Sequence, residues 1–120
     1  CYEKKFCFTK SCLNILTIDY LPQVKKLGSC SGADTDNLKI TGLAADNCKK
    51  ISGLYLKAAA AIIECELFKA IDIEDVSIFI GKAVYCAADK SFKNKCWDVN
   101  YFKSIHHLGD GKFVTITAIK

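Results

Sequence analysis

Apolar and polar side chains alternate along two stretches of the chain, with the period of two that sends successive side chains to opposite faces of a strand. In the first, Ile63, Cys65, Leu67, Lys69, Ile71 and Ile73 alternate with Glu64, Glu66, Phe68, Ala70 and Asp72. Just before it, Ala58 to Ala61 is a run of four alanines, the residue with the best helix propensity. The alternation beyond that run sets a long strand from about Ala60. The second stretch, Ser77 to Ala88, is rich in β-branched and aromatic residues. Only the turn "IEDVS" separates the two, so they are expected to form an antiparallel hairpin.

Other patterns are shorter. Phe6 to Thr17 reads as a strand, with Phe6, Phe8 and Lys10 alternating against Cys7 and Thr9. Asp19 is placed to cap a short helix through Leu27, with Pro22 in its first turn and Gly28 just past its end. Leu21, Val24 and Leu27 then share one face. "GSCSGADTDN", Gly28 to Asn37, is the most turn-rich segment. Leu38 to Leu43 follows as a turn of helix, and Ala44 to Gly53 as an irregular connector. "DKSFKNKCWDVNYFKSI" has mixed polarity and room for one short helix. Gly109 to Gly111 is a tight turn, and Phe113 to Ile119 a closing strand. The expected fold is mainly β with one or two short helices: a single antiparallel barrel domain over residues 1–120.

Composition narrows the functional classes. The chain has 120 residues, 51% hydrophobic and 25% charged, enough for one core and too apolar for disorder. No window approaches the ~18 uninterrupted apolar residues of a membrane span. All 17 basic residues are lysines, and the net charge is only +4. Without arginine, the fork that reads phosphate and guanine, and without a basic cluster, nucleic acid is not an expected partner. There is no methionine and the chain opens on Cys1, which suggests a processed product or a fragment.

The 8 cysteines raise the possibility of a secreted disulfide scaffold. Cys7, Cys12, Cys65 and Cys86 sit instead in apolar runs such as "AIIECELF" and "KAVYCAAD". The expectation is therefore reduced core thiols in a cytoplasmic protein. A metal centre is not expected, because there is no CxxC and the only histidines, His106 and His107, are adjacent. No catalytic acid, base or nucleophile stands out.

The order of segments resembles the flavin reductase-like domain family, including its flavoredoxins. "FCFTKSCLNIL" is similar to the family strand that ends in an asparagine–aliphatic pair, here Asn14 and Ile15. "GSCSGADTDNL" resembles its Ser-Gly-basic-Asp loop, "IIECELF" its Glu-Cys strand at Glu64 and Cys65, and "DVSIFIGKAV" its Gly-Asp-His…Phe-Ile-Gly-Glu-Val strand. "HHLGDGKF" is similar to its closing segment. The resemblance runs from about Phe6 to Thr117 and lacks the family's N-terminal strands. It implies a split β-barrel that binds FMN, usually as a homodimer. Electrons would pass through the flavin from a nicotinamide nucleotide or to a redox protein partner. Ser31, Gly32 and Asn37 are the cofactor-side candidates it points to, with Asn14 a weaker one.

The departures bear on function. Ala33 replaces the basic residue after Ser-Gly, and Asn37 the lysine after the second aspartate. Hydroxyls and backbone at Ser29, Ser31, Gly32 and Thr35 are left to meet a phosphate. Glu74 and Val76 replace the glycine and histidine of Gly-Asp-His, and Lys82 reverses a glutamate's charge. The rival expectation is a split-barrel remnant without flavin that serves as a dimerising or interaction module. Gly81, inside a strand, is expected to mark a bulge or a close backbone approach.

Overall fold

A computed structural model describes residues 9–30 and 36–119. Its centre is the hairpin of β4 (Ala61–Ile73) and β5 (Val76–Ala88), on which β1 (Lys10–Ile15) lies antiparallel, giving a three-stranded sheet in the order β1-β4-β5. The long alternating runs thus become the two long strands. The fold is mainly β, with three small two-stranded sheets and two short helices around the central one. None of the described helices is long and apolar enough to cross a membrane.

The register assigns each face. Leu13, Ile63 and Cys86 share one side with Ile15, Ala61 and Ala88; Cys12, Glu64 and Tyr85 share the other with Asn14, Ile62 and Ala87. Two irregularities interrupt the hairpin, between Glu64 and Cys65 and between Leu67 and Lys69. At the second, Gly81 pairs with Leu67, and a Cβ added to Gly81 would lie 3.2 Å from the Cys65 Cβ. Gly81 is therefore both a bulge neighbour and a close approach, as its position in the sequence suggests.

Several short elements differ from the sequence expectations. The chain turns before Asp19: Ile18 N donates to Lys103 O (2.8 Å) and Tyr20 N to Thr17 O (3.0 Å), forming a 3-10 turn. Helix α1 (Leu21–Gly28) then starts at Pro22's turn without a side-chain cap, and Gly28 ends inside it. Helix α2 (Asn37–Thr41) is capped by Asp36, which accepts from Leu38 N and Lys39 N, and stops at Gly42 with φ +66°. The supposed connector at Ala44 to Gly53 contains β2 (Ala45–Asn47), which pairs with β3 (Leu54–Leu56). No helix forms in the mixed-polarity segment after Ala88. Asn94 and Lys95 both take positive φ there, and they close a hairpin of β6 (Phe92–Lys93) and β7 (Cys96–Trp97). The last pair is β8 (His106–Gly109) with β9 (Lys112–Val114), joined through the Gly-Asp-Gly turn. Of the expected closing strand, only the beginning is paired.

The core is small and sits at the base of the long hairpin. Ile51, Ala60, Ala61, Ile62 and Cys65 are its buried apolar members, and Glu64 is buried completely among them. The six described cysteines are free. Only Cys65 is buried, while Cys86 and Cys96 are exposed, so the expectation of core thiols holds for one of them.

Candidate functional site

Three features of the described residues bear on the candidate site. The first is a buried anchor. Glu64 projects from β4 towards the loop between β2 and β3, where its carboxylate accepts from Lys49 N (2.7 Å), Lys50 N (2.6 Å) and Ile51 N (3.1 Å). Burial pushes this carboxyl up, but the three backbone N–H groups and the nearby Lys50 more than offset it. The net result lies below the ordinary glutamate value. Three donors convergent on one carboxylate make a structural nest whose capacity for an anion is already filled.

Beside it, Asn14 does related work on β1. Its Oδ1 accepts from Leu56 N (2.7 Å), and its Nδ2 donates to Cys12 O (3.2 Å). Both ends of the carboxamide are engaged with backbone, which ties β3 to the central sheet.

The second feature is the corner between α1 and α2. Ser31 and Gly32 lie outside the described residues. Asn37 is the first residue of α2 and is exposed. The carboxylate of Asp36 already occupies the N–H groups of Leu38 (3.1 Å) and Lys39 (3.4 Å), so that helix start is not open to a second anion. Cationic charge flanks the corner instead: Lys25 and Lys26 stand in the last turn of α1, and Lys39 follows in α2. Lys39 pairs with Asp36 at 3.8 Å, and Lys25 lies 5.2 Å from the Phe113 ring centre. Ser29 Oγ donates to Lys26 O (2.8 Å), which closes α1 as the chain enters the corner. These lysines carry no sequence signal of their own, since they are spread along two helices and not gathered in the loop.

The third feature had no sequence signal. An apolar groove of about 430 Å³ opens beside the central sheet, lined by Ile15, Ala61, Ile62, Ile63, Cys86, Ala87, Ala88, Phe92 and Trp97. Trp97 packs edge-on against Phe92 at 5.1 Å and stacks on Phe102 at 4.1 Å. A planar aromatic ligand fits such a slot, because aromatic side chains offer stacking faces and the small Ala61 and Ala88 leave the floor open. Strand β5 also forms an edge of the described sheet. Its outer N–H and C=O groups suit the polar rim of a heteroaromatic ring. The groove thus has the size and lining for a planar ring, and Lys25, Lys26 and Lys39, on the helices either side of residues 31–35, carry charge of the sign a phosphate needs.

Comparison with known proteins agrees with this architecture. The model of the flavin reductase like domain family matches residues 9–106. An uncharacterised protein of Archaeoglobus fulgidus is 30% identical over 99 residues, which is 82% of this chain and 55% of that one. Among solved structures, nitrilotriacetate monooxygenase component B from Bacillus cereus superposes with a TM-score of 0.82 at 16% identity, covering 93% of this chain and 59% of that one. The flavoredoxin of Desulfovibrio vulgaris (Miyazaki F) gives 0.80 at 17% identity, covering 93% and 61%. An FMN-binding domain of a flavin reductases-like enzyme from Shewanella baltica OS155 gives 0.78 at 18% identity, covering 94% and 63%. The chain thus spans little more than half the length of the curated relative and about three-fifths of these structures.

Proposed function

The chain belongs to the flavin reductase-like domain family, and from that premise we propose that it binds FMN and passes electrons through it, as a flavoredoxin-type oxidoreductase. The observation that carries the reading is the apolar groove with Trp97 and Phe92 at one end. When bound, the flavin supplies the hydride and electron chemistry. The protein's part is placement. Trp97 and Phe92 exclude water from one ring face, and the outer edge of β5 meets the ring's polar rim. Ser31, Gly32 and Asn37 are assigned to the ribityl phosphate with Lys26 alongside, while Asn14 supports the site by holding β3. A nicotinamide nucleotide as donor, or a redox protein as partner, belongs to the same reading, as does a cytoplasmic location suited to free thiols.

Purified protein should be yellow, with absorption near ~450 nm that bleaches on reduction. If the protein is colourless, titration should quench the fluorescence of added FMN. Colourless protein that leaves FMN fluorescence unchanged would overturn the reading. It would support the second one, a non-flavin interaction module, which is favoured by the Asp36 carboxylate at the start of α2 and by Ala33 in the loop.

A homodimer is part of both readings. Ile71, Ile73, Val76, Ile78 and Ile80 share one face of the outer hairpin, and Ile73, Val76, Ile78 and Ile80 are exposed there. A contiguous aliphatic strip of this kind is a pairing surface. Sedimentation should give a dimer, and a monomer at micromolar concentration would count against it.

A further inference from the structure

We propose that Cys12 and Cys48 are a redox modification site, forming a reversible disulfide that clamps β1 to the turn between β2 and β3. Contacts that do not involve sulfur hold the two residues together. Cys12 stands directly opposite Glu64 in the β1–β4 ladder, on the same face, a spacing that brings cross-strand Cβ atoms within about 5 Å. The carboxylate of Glu64 in turn grips Lys49 N, Lys50 N and Ile51 N, the residues that follow Cys48. Cys48 N donates to Gly53 O (2.9 Å), which fixes the turn from its other side. The absent Cβ of Gly53 leaves room next to the Cys48 sulfur, which lies 4.0 Å from where that atom would be. Both residues therefore border the Glu64 carboxylate, Cys12 from the facing strand and Cys48 from the turn that it grips, and both are half-buried, so a small oxidant can reach them.

Burial, the Cys48 thiol, and then Glu64 and Cys65 push Cys12 up to about 12, which keeps it a protonated thiol at rest and slows its own oxidation; the first step is written on Cys48, the thiol carried by the turn. The Cys48 sulfur attacks hydrogen peroxide, the O–O bond breaks, and water leaves with the thiol proton, which gives a sulfenic acid. The Cys12 sulfur then attacks that sulfur, the S–O bond breaks, and a second water leaves with the Cys12 proton. Two thiols lose two electrons, and one peroxide becomes two waters. The bond also removes two ionisable groups from beside a buried carboxylate. The loop it closes contains α1, the corner with Ser31 and Gly32, and α2 with Asn37, although the site stands whether or not the chain binds FMN.

The test uses the full chain, reduced and then treated with a modest excess of hydrogen peroxide, alkylated, and digested with trypsin without reductant. The expected product joins the peptide of residues 11–25 to that of residues 40–49, with the loss of two hydrogens and reversal by dithiothreitol. The linked protein should melt on the order of 10 °C higher than the reduced protein. Cys12→Ser and Cys48→Ser should each abolish both the linked peptide and the shift. Sulfinic acid on unlinked thiols, links that involve other cysteines, or an unchanged melting temperature in the linked form would overturn the proposal.

Discussion

The two ends of the β4–β5 hairpin share one ladder but are held in different ways. At the base, Ala61, Ile62, Glu64 and Cys65 are buried, and Glu64 fastens a loop more than a dozen residues earlier in the chain. Towards the tip the same strands carry Phe68 at 73% and Val76 at 64% exposure. Sequence quality does not separate the ends, since both are rich in β-formers. What differs is the partner: the base is specified by packing and a buried carboxylate, the tip by backbone pairing, a bulge and the exposed hydrogen bond from Ser77 to Asp72. Substitutions at the base should therefore change folding, and those at the tip should change association.

Removing the anchor is the strongest way to break this contrast. Glu64→Ala leaves three backbone N–H groups facing an apolar void, and should lower the melting temperature by on the order of 10 °C or prevent folding altogether. Glu64→Gln tests the charge separately. The folded carboxyl lies below its ordinary value, so its stabilisation is fully present above about pH 4.5 and is lost as pH falls through the lower folded value. Melting temperatures measured from about pH 6 to pH 3 should fall steeply in the native protein and less steeply in Glu64→Gln. Parallel curves would show that the base is held by apolar packing alone.

Gly81 marks the border between the two ends. An alanine there sets a Cβ 3.2 Å from the Cys65 Cβ, where backbone-anchored atoms have little freedom to move. Gly81→Ala should destabilise by about 1 kcal/mol and Gly81→Val by about 2–3 kcal/mol in urea denaturation. Equal, small losses for the two would mean that the close approach relaxes freely and that the border does not transmit strain.

The same contrast explains what could be read from the sequence. The two long strands and the Gly-Asp-Gly turn were legible because a period of two sustained over a dozen residues, or a pair of glycines, is a local signal. Strands β2, β3, β6 and β7 have two or three residues each, too few to show any period. The turn before α1 was misassigned because a backbone bond to Lys103, remote in sequence, set it. Gly81 was legible as a breaker inside a strand. Glu64 fits a strand pattern in the sequence, but its partners lie 13 to 15 positions away, and no spacing rule finds them. Of the nominated site, Asn37, read as the end of the turn-rich segment, is instead the first residue of α2. The groove was not legible at all, because Phe92 and Trp97 come from a segment whose mixed polarity hid a tight aromatic hairpin.

The turn at the tip is a smaller lever. Glu74 sits at φ +51° as the first central residue of a two-residue turn between Ile73 and Val76, a conformation that disfavours side chains and suits glycine. Glu74→Gly should raise stability by about 0.5–1 kcal/mol in denaturant titrations, a gain that leaves the base untouched.

The outer aliphatic strip should have the smallest effect on folding and the largest on association. Ile78 is 47% exposed and pairs with Ile71 on one hairpin face. Ile78→Thr keeps a β-branched side chain in the strand, so unfolding measured on dilute, monomeric protein should move by no more than about 0.5 kcal/mol. In sedimentation the same variant should weaken the dimer by about tenfold, since losing a buried apolar side chain at an interface centre is worth about 1–2 kcal/mol. A variant that loses a kilocalorie or more as a monomer while its dimer persists would place Ile78 in the fold's own core. The tip would then be organised like the base, and the aliphatic strip would not be the surface on which two copies meet.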